Sequence, residues 1–119
     1  MTLTPLLVAV GGALGAVARF AVGVALEDHP VSETIPAATL TVNALGTFVL
    51  GLLTFGGAGS EVIALLGTGA CGAFTTFSSF SVQTVERWER GERALAAGYA
   101  LGTLTVAGAA LGVSWLLVG

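Results

Sequence analysis

Residues 67–82, GTGACGAFTTFSSFSV, set three glycines and a run of hydroxyl side chains inside an apolar stretch that carries no charge. At membrane depth a loosened backbone is tolerated only where protein or a water-filled cavity satisfies the freed groups. A glycine- and threonine-interrupted span is therefore a pointer to an ion or substrate site. Phe77 and Phe80 are three apart and share a face of any helix that follows the interruption. Ser78 and Ser79 lie between them. Thr39 and Asn43, in an earlier apolar run, are four apart, and Tyr99 and Thr103 repeat that spacing in a later one. Hydroxyls and the Asn amide can donate to an anion, and aromatic ring edges are partly positive. A cation path or proton relay would more often show Asp or Glu within a span, and these runs contain none. The chemistry suggested is anion recognition by neutral donors. No Ser–His–Asp arrangement, metal-ligand cluster or phosphate loop is present, so the reading is of a protein that is not an enzyme.

Membrane helices must position these groups. The chain has 119 residues, 55% hydrophobic and only 9% charged, with a mean hydropathy of +0.94. A soluble domain carries roughly 25% charged residues. Lysine is absent. The basic residues are Arg19, Arg87, Arg90 and Arg93, against seven acids and a net charge of −3. No basic patch exists to neutralise phosphates, which argues against a nucleic-acid partner. Cys71 is the single cysteine, so no intrachain disulfide can form.

Four apolar runs, 3–26, 35–55, 62–85 and 94–118, each reach the ~20 residues that a bilayer span needs. The connections 27–34, 56–61 and 86–93 are short. The first run exceeds the apolar core of a signal peptide and lacks its basic leader. The fold expected is an all-α membrane protein. It is a single domain over 1–119 with four transmembrane helices, the third broken near its middle, and both termini on one side. Gly11 and Gly15, Gly98 and Gly102, and Gly108 and Gly112 are each four apart, a spacing that lets helix backbones approach closely. Four spans make a thin bundle, so an oligomer is the simplest way to enclose a path.

Structural roles compete for the same residues. A membrane Asn can serve as an interhelical hydrogen bond. Thr and Ser can bond back to their own helix. Phe at helical spacing can face lipid. Arg19 can snorkel or mark an aqueous vestibule. His29, in a polar connection, has no evident chemistry. Trp88 and Trp115 suit interfacial anchoring at opposite ends of the bundle.

The chain resembles the small fluoride channels of the CrcB/Fluc family. GGALGAVARF at 11–20, TLTVNALGTFVLG at 39–51, GTGACGAFTTFSSFS at 67–81, and Tyr99 with Thr103 carry the match. The motif TTFSSF at 75–80, inside a span and after a glycine, is its most specific part. The resemblance implies a fluoride-selective channel in the cell membrane, giving passive efflux that lowers cytoplasmic fluoride. It implies an antiparallel, dual-topology-type dimer with two pores. Asn43 would offer its amide to the ion, and Phe77 and Phe80 their ring edges. Thr39, Ser78, Tyr99 and Thr103 would continue the polar path, and Arg19 would stand in the vestibule. The backbone carbonyls of Gly72 and Thr75, from two subunits, would hold a structural sodium ion that does not permeate. Ala107, one turn beyond Thr103, replaces a frequent hydroxyl, and Ala73 replaces a frequent glycine. Two other classes are a small four-helix multidrug exporter, whose usual first-helix acid is missing here, and a non-transporting assembly subunit.

The partner is a second copy or a paired homologous subunit. Arg87, Arg90 and Arg93 all lie in the third connection, whereas 56–61 and both termini carry no Lys or Arg. Basic residues in short loops set orientation. The bias predicts a preference for both termini outside the cytoplasm.

Overall fold

The computed structural model describes residues 3–119. Every regular element among them is helical, as it must be where hydrocarbon offers no partner to an unpaired backbone group. The first span is Thr4–Leu26, the second Ala37–Phe55 and the fourth Arg93–Val118. The third is a composite of 30 residues, Ser60–Glu89, whose second half is the helix Phe77–Glu89. All four are long and apolar enough to cross a bilayer, so the chain is a multi-pass membrane protein.

Local chemistry sets the ends. The second span starts directly after Pro36, because a proline disfavours helical geometry in the residue before it, here Ile35. In the first connection His29 caps a short 3₁₀ turn, Pro30–Glu33, by accepting the Val31 N–H on Nδ1 at 3.2 Å. The second span and the second half of the third both end in left-handed glycines, Gly57 and Gly91. After each, the next residue donates back into the last turn, Ala58 N–H to Leu53 O and Glu92 N–H to Arg87 O, both at 2.9 Å. That pattern satisfies carbonyls a helix end would otherwise orphan.

The third span does not start as an ordinary helix. Ile63–Cys71 forms nine residues of π-helix, where single-turn bulges are usual. The first span rests against it. Gly11 and Gly15 are buried there; a methyl at Gly11 would overlap the Leu65 carbonyl oxygen, and one at Gly15 that of Ala70. Bare Cα–H groups thus face the carbonyls of a widened helix, a contact that recurs at close helix interfaces.

The other glycine pairs behave differently. A methyl on Gly98, Gly102, Gly108 or Gly112 would meet nothing within 4 Å in this chain. The fourth span turns Ala96, Tyr99, Thr103 and Ser114 inward instead. Fully buried Ser114 fits against Gly51 of the second span and donates back to Leu111 O at 2.7 Å.

Gly11→Val or Gly15→Val should therefore cost about 3 kcal/mol or more, since the clash is with backbone that cannot rotate away. Thermal unfolding in detergent should show both variants strongly destabilised. Gly23→Ala, with nothing within 4 Å, should match the parent protein.

Candidate functional site at the break in the third span

Thr75 (φ −84°, ψ 160°) and Thr76 (φ −150°, ψ 113°) are extended, between the helical turn that ends at Phe74 and the half-helix that starts at Phe77. Two extended residues cannot continue the helical ladder, so each freed group needs another partner. Cys71 O accepts from both Thr75 N–H at 3.0 Å and Thr75 Oγ1 at 2.9 Å. The Thr76 peptide is gripped from the second span. Asn43 Oδ1 accepts the Thr76 N–H at 2.7 Å, and Asn43 Nδ2 donates to Thr76 O at 3.1 Å. Thr76 Oγ1 then accepts the Ser79 N–H at 3.2 Å and so caps the second half-helix. Such a cap contributes about 1 kcal/mol.

The second span reaches the break because Gly46, three residues on from Asn43 and on the same face, is buried against Thr75; a methyl there would overlap Thr75 Cγ2. Asn43 thus takes the interhelical role that its residue type allows. Its amide carries a second N–H, and the side chain still lines the groove in front of the break.

That groove, of 590 Å³, brings most of the expected residues together: Asn43, Gly72, Thr75, Phe77, Phe80 and Thr103 all line it. Phe77 is 79% exposed on its open side. Phe80 joins Phe77 (centroids 6.0 Å apart) to Tyr99 (5.4 Å) in a tilted aromatic row. Tyr99, Thr39 and Thr103 are buried, and the Tyr99 hydroxyl faces those of Thr39 and Thr103. Thr103 Oγ1 is buried and has no hydrogen-bond partner among the described residues. Ala107 lines the groove beyond it and offers no donor.

Four expected residues do not line the groove: Thr39 and Tyr99, which are buried beside Thr103, and two that lie elsewhere. Ser78 is exposed in a separate polar depression with Ser79, Gln83 and Glu86. Arg19 is exposed on the first span and does not line the groove. Thr76 received no role from the sequence, although a hydroxyl three residues before Ser79 and at the start of a new helix is a capping signature. Gln83, whose Oε1 accepts from the Tyr99 hydroxyl at 3.5 Å, had no such signal.

A family model described as CrcB-like protein, Camphor Resistance (CrcB), matches residues 6–115. This chain belongs to the CrcB family. It is similar to fluoride-specific ion channel FluC 1 of Halobacterium salinarum, 53% identical over 112 residues, 94% of this chain and 91% of the relative. The same figures hold for fluoride-specific ion channel FluC 2 of Haloarcula marismortui. FluC 2 of Rhodococcus jostii is 45% identical over 74 residues, 62% of each chain. The match to the CrcB model runs through all four spans and takes in every residue of the groove.

Within this CrcB chain the buried Thr103 hydroxyl faces that of Tyr99 but lies within hydrogen-bond distance of no group among the described residues. It is therefore a stability liability, since an unmatched buried hydroxyl costs roughly 1–3 kcal/mol. Thr103→Val, nearly isosteric, should raise the unfolding free energy by about 1 kcal/mol. A fall of that size in thermal unfolding would mean that the hydroxyl has a partner and is structural.

Proposed function

We propose that this chain is a fluoride-selective channel that gives passive fluoride efflux and lowers fluoride toxicity. It is a channel and not an enzyme. The observation that carries the reading is the groove at the break, where neutral donors and phenyl rings converge with no fixed charge. Fluoride is small and strongly hydrated. A path for it must replace water with short-range donors, yet hold the ion weakly enough to release it. The Asn43 amide, the Thr103 hydroxyl and the ring edges of Phe77 and Phe80 are donors of that kind. Thr39 and Tyr99 continue the path behind them, while Ser78 and Arg19, which lie outside the groove of one chain, would join the path only in the assembled dimer, Arg19 in its vestibule. The membrane is the cell membrane, where efflux removes fluoride from the cytoplasm.

The working unit is an antiparallel dimer. One chain leaves the groove open and Phe77 bare, and a second subunit supplies the missing wall. A sodium ion fits between the two breaks. Gly72 and Thr75 line the groove, and unwound backbone carbonyls are the usual ligands for sodium at a broken membrane helix. Two carbonyls from each subunit present hard oxygens without a formal charge. The ion would hold the breaks in register and would not permeate.

Phe77→Ile or Phe80→Ile should abolish fluoride efflux from liposomes while leaving an assembled protein, because an aliphatic side chain has no partly positive edge. Asn43→Asp should also block it, by setting like charge in an anion path. Thr103→Val should conduct less although it is more stable. Efflux at the parent rate from both Phe variants would remove the pore assignment.

Orientation follows from the arginines. Arg87, Arg90 and Arg93 crowd one connection, interleaved with Glu86, Glu89 and Glu92, and acids contribute little to orientation. Arg90 lies 3.9 Å from Glu86 and 4.0 Å from Glu92, and Arg93 stacks over Trp88 at 5.2 Å. The chain therefore prefers both termini outside the cytoplasm, and its antiparallel partner is a homologous subunit of opposite bias. Cysteine labelling at Gly57 and Gly91, in a Cys71→Ala background, should show each site accessible from one side only. Equal labelling from both sides would indicate a dual-topology homodimer.

A further inference from the structure

We propose that Asn43 and Thr76 create the cation site, by diverting the two backbone donors that would otherwise close it; the inference rests on the sodium reading above. In an uninterrupted helix each N–H bonds the carbonyl four residues back. Gly72 O would then be taken by Thr76 N–H, and Thr75 O by Ser79 N–H. Neither bond forms. Thr76 N–H goes to Asn43 Oδ1 at 2.7 Å, and Ser79 N–H goes to Thr76 Oγ1 at 3.2 Å. Thr75 N–H, which could reach Gly72 O in a tighter turn, goes instead to Cys71 O at 3.0 Å.

The two carbonyls left without these donors are the two that a cation would need. Gly72 is exposed, and a methyl on it would meet nothing nearer than Gly67 O at 4.0 Å. Both residues line the same groove. Asn43 and Thr76 are thus positioning residues that never touch the cation. Asn43 also binds the site to the conduction path, because the amide that grips the Thr76 peptide stands in the groove with Phe77 and Phe80.

The test is thermal unfolding of the purified protein in detergent, titrated with sodium against N-methylglucamine. A ligand that binds only the assembled state raises stability with its concentration. Asn43→Ala frees Thr76 N–H to close on Gly72 O. Thr76→Val frees Ser79 N–H to close on Thr75 O. Each should need about tenfold more sodium for the parent's stabilisation, equivalent to roughly 1.4 kcal/mol. Thr76→Ser keeps the hydroxyl and should restore the parent titration. If Asn43→Ala does not assemble, the Thr76→Val and Thr76→Ser pair decides. Parent-like sodium dependence in assembled Thr76→Val would overturn the proposal while leaving the sodium site intact. No sodium dependence in the parent protein would overturn the site and the proposal together.

Discussion

The grip of the Asn43 amide on the Thr76 peptide is the constraint on which the rest of the site depends. An extended peptide at membrane depth exposes an N–H and a C=O where neither water nor a helical ladder can satisfy them, and each such group costs several kcal/mol. A primary amide is the one neutral side-chain group that can accept and donate at once with the spacing of a peptide. It answers both needs, at 2.7 and 3.1 Å. The grip requires the second span to lie against the break, and Gly46 provides that approach. With Thr76 fixed, its hydroxyl starts the second half-helix, and that start sets where Phe77 and Phe80 point. The break is a joint built from specific hydrogen bonds.

The first half of the third span shows the same logic applied to volume. Gly11 and Gly15 are placed where the first span must rest on carbonyl oxygens of a widened helix, and no side chain could occupy that space. Holding the π-stretch this tightly gives the joint a fixed platform on one side, while the second span fixes it from the other. The glycines of the fourth span share the spacing but meet no other element of this chain. Spacing places residues on one face of a helix; only the neighbouring element determines what that face meets.

This separates what could be read from the sequence from what could not. The four spans were legible because the length of an apolar run is itself the physical requirement. The break was legible because glycines and hydroxyls that weaken a helix stand together at 67–79. The gathering of Asn43, Phe77, Phe80 and Thr103 on one groove followed from helical spacing and from family resemblance. The π-stretch was hidden, since a nearly uniform apolar run shows no period from which to tell i+4 from i+5 bonding. Asn43 was read with two competing roles, a hydrogen bond between helices or a donor in the path. With two donors and an acceptor on one amide, the roles do not compete. Thr76 went unassigned because its partners, Asn43 and Ser79, lie one in another helix and one beyond a break whose exact residue no pattern marks.

The same joint bears on why the groove at the break is lined by no charged side chain. A charged side chain among the groups that touch fluoride would either hold it too firmly, if positive, or exclude it, if negative. The electrostatic elements that the chain itself sets around the groove are neutral: the Asn43 amide, ring edges, hydroxyls and backbone carbonyls. Dipoles are effective only when they are held in direction, because a free one turns to suit its own partner. Thr75, Ser81, Thr84 and Thr105 illustrate the free case, each bonding back to a carbonyl of its own helix at 2.8–3.0 Å. Thr103 does not, and its hydroxyl, facing that of Tyr99, is within hydrogen-bond distance of no group among the described residues. Asn43 is held by a peptide that cannot rotate, so its remaining N–H is aimed by the backbone and not by solvent. A site made of neutral groups depends in this way on rigidity where a charged one could depend on strength, and the gripped break supplies that rigidity.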